Sequence, residues 1–197
     1  MADDLVVYEE KEEGFAVSLS LTLSDRFMVI DAGDFSTTQQ LLLDLSEPAG
    51  APRAITVRKP GDKYTVADVG ERLIVATNAD GAAGWKIGEK PLAAPADEAL
   101  REIVPHRAGR VIESFVVFRD HLAWVERDLE RNAQRIIVRR WADGAEHEIT
   151  FGEEPSKVDI LTGLEQDTRS LRYTYQSMVQ PRQVFDYDME TRQRTLR

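Results

Sequence analysis

The sequence predicts an all-β chain: a partial β-propeller of about four four-stranded antiparallel blades. Three observations lead there. First, a phrase made of a polar turn, a basic residue and an apolar run recurs at intervals of about 46 to 50 residues. Its copies are Arg26-Phe27-Met28-Val29-Ile30, Arg72-Leu73-Ile74-Val75-Ala76, His121-Leu122-Ala123-Trp124-Val125 and, more loosely, Ser170-Leu171-Arg172-Tyr173-Thr174-Tyr175. A period of that size with several strands per repeat is what propeller blades produce. Second, the apolar runs are short and rich in β-branched and aromatic residues, with turn residues between them. Third, the runs are nearly continuous where a sheet with one wet face would alternate. Blades stacked around an axis are covered on both faces, so period and pattern agree.

Four units follow in order: 9–57, 58–104, 105–151 and 152–197. The first takes strands from Phe15 onward, at Arg26–Ile30, at Leu41–Leu45 and at Ala54–Val57, with turns at Asp31-Ala32-Gly33-Asp34 and Glu47-Pro48-Ala49-Gly50. The second takes Tyr64–Val69, Arg72–Thr77, Trp85–Gly88 and Leu100–Val104, broken by Asn78-Ala79-Asp80-Gly81; Pro95–Glu102 could hold one helical turn. The third takes Val111–Phe118, His121–Glu126, Arg135–Arg139 and Glu146–Phe151, with a turn at Ala142-Asp143-Gly144. The fourth takes Lys157–Leu161, Ser170–Gln176, Val184–Tyr187 and a stub at Arg194–Leu196. Ahead of them Leu5-Val6-Val7-Tyr8 reads as the last strand of a preceding blade, so the chain is expected to begin and end inside a repeating array. An open arc leaves blade faces in water. At ~25 cal/mol/Å² a face of ~500 Å² forgoes on the order of 10 kcal/mol, so self-association through exposed blade faces, or closure into a ring, is expected.

Composition narrows the function classes. The 197 residues carry 25 Lys+Arg against 35 Asp+Glu, a formal charge of −10. That balance speaks against nonspecific nucleic-acid binding, which needs basic patches, and against docking to anionic membranes. With no cysteine, disulfides, thiolate nucleophiles and cysteine metal sites drop out. Met1-Ala2-Asp3-Asp4-Leu5 lacks the basic and apolar regions of a signal peptide, and no run approaches a membrane span. A soluble, cytoplasmic protein is the expectation.

No catalytic, cofactor or metal residue is assigned. The patterns G-x-S-x-G, H-E-x-x-H, the Walker loop, G-x-G-x-x-G and the EF-hand loop are all absent. His147-Glu148 opens like a zinc motif, but Phe151 stands where its second histidine would fall. His121 takes the position held by Arg26 and Arg72 in earlier units and reads as structural. His147, between Glu146 and Glu148, reads as an exposed ion-pairing residue, and His106 as a loop residue between units. Glu9-Glu10-Lys11-Glu12-Glu13 reads as a solvated turn guarding a sheet edge. Asp186-Tyr187-Asp188 puts two aspartates on one strand face. Trp85, Trp124 and Trp141 fall in predicted strands as packing residues.

The wording of the repeats carries a resemblance. Leu5-Val6-Val7-Tyr8-Glu9-Glu10-Lys11, Phe15-Ala16-Val17-Ser18-Leu19, Leu41-Leu42-Leu43-Asp44, Thr77-Asn78-Ala79-Asp80-Gly81, Glu102-Ile103-Val104-Pro105-His106-Arg107, Leu171-Arg172-Tyr173 with Tyr175, Ser177-Met178, and Phe185-Asp186-Tyr187-Asp188-Met189-Glu190-Thr191 occur in that order. Together they resemble the oligopeptidase B (protease II) group of the prolyl oligopeptidase family of serine peptidases. The resemblance covers nearly the whole chain. It implies the later blades of a seven-bladed propeller that caps an α/β-hydrolase domain bearing a Ser-Asp-His triad. It further implies a parent that cleaves peptides after Arg or Lys, with the propeller excluding large folded proteins. On this reading the partners are the α/β-hydrolase catalytic domain and peptide substrates, and this segment by itself is expected to be inactive. A stand-alone propeller used for binding, and a remnant of a truncated gene, remain open from the residues alone.

Overall fold

The computed structural model describes residues 6–47, 49–151, 156–161, 163 and 165–197. Among them no residue is helical. Sixteen strands occur: β1 (Ala16–Leu21), β2 (Phe27–Gly33), β3 (Thr38–Asp44), β4 (Arg53–Ala54), β5 (Tyr64–Val69), β6 (Arg72–Thr77), β7 (Lys86–Pro91), β8 (Arg101–Val104), β9 (Arg110–Val117), β10 (His121–Asp128), β11 (Ala133–Arg140), β12 (Glu146–Ile149), β13 (Ser156–Leu161), β14 (Ser170–Ser177), β15 (Gln183–Asp188) and β16 (Arg194–Leu196). They form four four-stranded sheets, in each of which spatial order follows chain order: β1-β2-β3-β4, β5-β6-β7-β8, β9-β10-β11-β12 and β13-β14-β15-β16. The pairings with recorded register are all antiparallel. Residues 6–10 form no strand, and Leu5 lies outside the described residues, so the extra strand expected at 5–8 is not seen in its described part.

The turns show why the chain doubles back so often. Asp34, Asp128 and Asp188 stand at or just after strand ends, and each turns its carboxylate onto two backbone N–H groups of the following turn. Such side-chain-to-backbone bonds compete with continued pairing and close the loop. The same donors hold these three carboxyls below their ordinary values. Position 84 is a glycine for steric reasons, since a Cβ there would sit 2.1 Å from the carbonyl oxygen of Arg110.

The chain divides into two compact units, Met1–Gly81 with Ile87–Ile103, and Ala82–Lys86 with Val104–Arg197. In the first, the core gathers Phe27 and Val29 of β2, Leu42 of β3, Ile55, Tyr64 of β5, Leu73 and Val75 of β6, and Leu92. Face-to-face packing of the first two sheets therefore makes this core. In the second unit the buried side chains are Leu122, Trp124 and Val125 of β10, Ile136 and Val138 of β11, Val158 of β13, and Leu171 and Tyr173 of β14. Residues 41–43, 73–77 and 121–126 are buried without interruption, so both faces of these middle strands are covered, as their continuous apolar runs require. The rim strands β1 and β16 are exposed throughout.

Two expectations change. Trp85 precedes β7 with a left-handed φ of 67°, and Trp141 follows β11; only Trp124 lies within a strand. The stretch 95–102 holds a single turn, closed by the Glu98 amide on the Pro95 carbonyl, and enters β8 at Arg101. Two cations bind the carbonyls around this turn. Lys90, 3% exposed, donates through Nζ to the carbonyls of Ile55, Pro95 and Ala96 at 2.5, 2.9 and 3.4 Å. Arg53 donates to the carbonyls of Leu92 and Ala94. The Pro95 carbonyl thus accepts from both Lys90 and the Glu98 amide. Burial, then the Arg53 charge, pushes the Lys90 amine below its ordinary value. Lys90→Met should strand these carbonyls and lower unfolding free energy by about 2–3 kcal/mol in urea denaturation, with faster amide exchange across 92–98.

Candidate functional surface

The two ends of the second unit differ in chemistry. One end carries the β9–β10 and β11–β12 turns and the β13–β14 connection, and ionic groups tie its two sheets together. Arg119 meets Asp167 at 2.5 Å, and its amide donates to the Gln166 carbonyl. Arg140 holds Asp143 at 2.7 Å and Glu190 at 3.3 Å. Arg169 meets Asp188 at 3.0 Å, and the Trp141 indole N–H donates to the Phe118 carbonyl at 3.1 Å.

The histidines enter here. His121, at the buried start of β10, points Nε2 at Glu190 Oε1, 3.2 Å away, while its Nδ1 is buried without a partner among the described residues. The structural role read from its repeat position fits this placement. His147 is not the exposed ion-pairing residue expected from its neighbours. By register it shares a face of its sheet with His121 and Arg140, and that face turns toward Tyr187 of β15, its ring centroid 5.8 Å away. Burial, followed by the charges of Arg192, His121 and Arg140, pushes the His147 imidazole below its ordinary value of 6.5; the Glu190 charge pulls the other way. A half-buried ring that resists protonation leaves the fold at full stability above pH 6.5, and that stability is lost as pH falls from there through the depressed folded value. Between pH 7.5 and 5.5 the wild-type urea midpoint should therefore fall further than that of His147→Gln; equal falls would remove the ring from the account.

The remaining sequence candidates resolve into structural roles. His106 is exposed beside Gly84. Glu10 and Glu12 both bind Arg58, at 2.6 and 2.8 Å, and the Arg58 guanidinium lies 4.4 Å over the Phe15 ring. Hydrogen bonds from Arg58, then from Tyr8, hold the Glu10 carboxyl down at about 2. The acidic run thus clamps residues 8–15 onto the segment after β4, which is more than a solvated turn does. Asp186 takes Arg172 and Arg197, both at 2.6 Å, whereas Asp188 takes Arg169 and its own turn. Among the described residues no hydroxyl is hydrogen-bonded to a histidine, and no group of three His, Asp or Glu side chains is arranged to hold a metal.

The opposite end, with the β10–β11 and β14–β15 turns and the starts of β9 and β13, is open. A cavity of about 600 Å³ is lined by Arg110, Arg131, Arg135, Asp128, Glu148 and Phe151, among others. Inside it Arg110 pairs with Asp128 at 2.9 Å, and Arg135 bridges buried Glu126 and Glu148 at 2.6 and 2.8 Å. A second cavity, of about 440 Å³, shares Thr150 and Phe151 with the first and adds Tyr175, Phe185, Gln180, Gln183 and Arg194. Its aromatic wall is a packed stack: Phe151 lies 5.3 Å from Tyr175, and Tyr173 lies 5.4 Å from Phe185. Sequence reading singled out none of these cavity residues as a site.

The family model described as "Prolyl oligopeptidase, N-terminal beta-propeller domain" matches residues 1–197. The chain belongs to that family. Its fold is that of a partial β-propeller, as the repeat period predicted. Among relatives it is 26% identical over 196 residues to dipeptidyl aminopeptidase BI of Pseudoxanthomonas mexicana, covering 98% of this chain and 26% of that protein. It is 24% identical to protease 2 of Moraxella lacunata over 188 residues, 95% of this chain and 26% of that one. Among solved structures, oligopeptidase B from Leishmania major superposes with a TM-score of 0.88 at 24% identity, over 99% of this chain and 28% of the other. Oligopeptidase B from Trypanosoma brucei, in a closed form with covalently bound antipain, gives the same score and identity, over 99% of this chain and 29% of the other. This propeller chain spans about a quarter of the length of the curated relatives it matches.

Proposed function

We propose that this chain is the non-catalytic propeller portion of an oligopeptidase B-like serine peptidase that cleaves peptides after Arg or Lys. In that role it frames the entrance to an active site carried by an α/β-hydrolase domain. The observation that carries the reading is the family-model match along all 197 residues, joined to relatives about four times as long that are named dipeptidyl aminopeptidase BI and protease 2. A propeller suits the task physically. Its sheets are held by inter-sheet cores and ion pairs, so the opening they frame admits an extended peptide and refuses a folded chain. Closure of the propeller against the hydrolase domain keeps water from the reacting groups. On this reading the hydrolytic groups belong to the companion domain.

The gene supplies the test. Read beyond Arg197 it should encode a G-x-S-x-G elbow between a strand and a helix. The complete product should hydrolyse a short fluorogenic peptide after Arg and spare the same bond within a folded protein, while the 197-residue chain hydrolyses neither. A natural stop after Arg197, or activity on folded protein equal to that on the peptide, would overturn the proposal.

A further inference from the structure

We propose that the first unit carries a binding site for the guanidinium or ammonium group of a basic side chain, with the Phe35 ring as its platform. The bearer of that side chain is a peptide substrate, an identity that rests on the proposed function. The site itself comes from the geometry of the β2–β3 turn.

Phe35 is 94% exposed. It is not on a loose loop. The Asp34 amide donates to the Thr37 carbonyl at 2.9 Å, and Asp34 Oδ1 accepts from the amides of Ser36 and Thr37, both at 2.7 Å. The connection before β5 is tied to the same turn. There the Gly61 amide donates to the Thr37 hydroxyl, and the Thr38 amide to the Asp62 carbonyl, both at 3.0 Å. An ordered turn thus holds a phenyl ring in water, forgoing the gain from burying it. The packing of the first unit's core makes no use of this ring.

The ring already meets one cation. Lys63 Nζ lies 5.2 Å from its centroid and makes no ion pair among the described residues. Most of the ring surface nevertheless stays open. Carboxylate oxygens stand close by in the chain. Asp34, next to Phe35, has an Oδ2 that accepts no hydrogen bond among the described residues. Asp62, next to Lys63, takes the Tyr64 hydroxyl on Oδ2 at 3.1 Å and leaves Oδ1 without a donor among the described residues. Hydrogen bonds from Ser36 and Thr37, with the Lys63 charge after them, keep the Asp34 carboxyl below its ordinary value, so it is anionic at neutral pH. An aromatic face with open carboxylate oxygens is what a guanidinium or ammonium requires: the ring takes the cation, and the oxygens take its N–H groups. An anionic ligand would meet like charges, and a purely apolar one would leave the oxygens unused.

Two measurements test this, and one needs no catalysis. In the 197-residue chain with isotope-labelled phenylalanine, the NMR signals of Phe35, assigned through Phe35→Leu, should shift on adding N-acetylarginine amide. The citrulline counterpart, close in shape but uncharged, should leave them in place. In the complete gene product, peptides cleaved after arginine are given a second arginine, walked along their length. At its best position that arginine should lower KM about three-fold relative to citrulline. Phe35→Ala should abolish the preference and Phe35→Trp should keep it. Lys63→Met, which clears the ring, should enlarge it. Equal shifts with the two amides, no preference at any position, or a preference that survives Phe35→Ala would overturn the inference while leaving the proposed function intact. A gene without a hydrolase domain overturns the underlying reading instead, and the NMR titration then decides the site by itself.

Discussion

Strands that are apolar on both faces constrain everything else in this molecule. A middle strand such as β10, buried from His121 to Glu126, cannot rest in a sheet with one wet side. Its sheet must be sandwiched, and the cheapest sandwich is another sheet of the same kind. Repeating the unit satisfies the inner faces and leaves only rims and turns for water. Charged groups then take the places that burial leaves open. Glu126 and Glu89 are buried only because arginines reach them from the rims, and Lys90 only because backbone carbonyls surround it.

What the residues alone disclose follows from how local each feature is. β5, β6 and β16 have the bounds their apolar runs and turns suggest, because alternation of run and turn is written in adjacent residues. The expected strand at Trp85–Gly88 begins and ends later, because a left-handed residue sets its start. His147 was misread for a related reason. Its neighbours Glu146 and Glu148 describe one face of β12, while its own face is decided by Tyr187, forty residues on. Lys90 looks like any surface lysine until the carbonyls of Ile55 and Ala96 are folded around it.

The open end was legible only in part. Ser177-Met178 stood out as a phrase shared with a peptidase family, but its exposure is a tertiary property. No rule of composition says that this methionine faces water while Met189, further along the same sheet, is buried. The cavities are harder still to foresee, since Arg110, Arg135 and Phe151 come from three different strands and connections. Long-range convergence of this sort has no period and no motif.

Strand order within each sheet matches order along the chain, and this has a consequence for how the molecule comes into being. Every partner a strand needs is its immediate predecessor or successor. Loop-closure entropy is therefore small at each step, and a meander can assemble as soon as its own fifty or so residues have left the ribosome. The same arrangement makes gene duplication harmless to topology: one more copy of the repeat adds a leaf without rethreading any other.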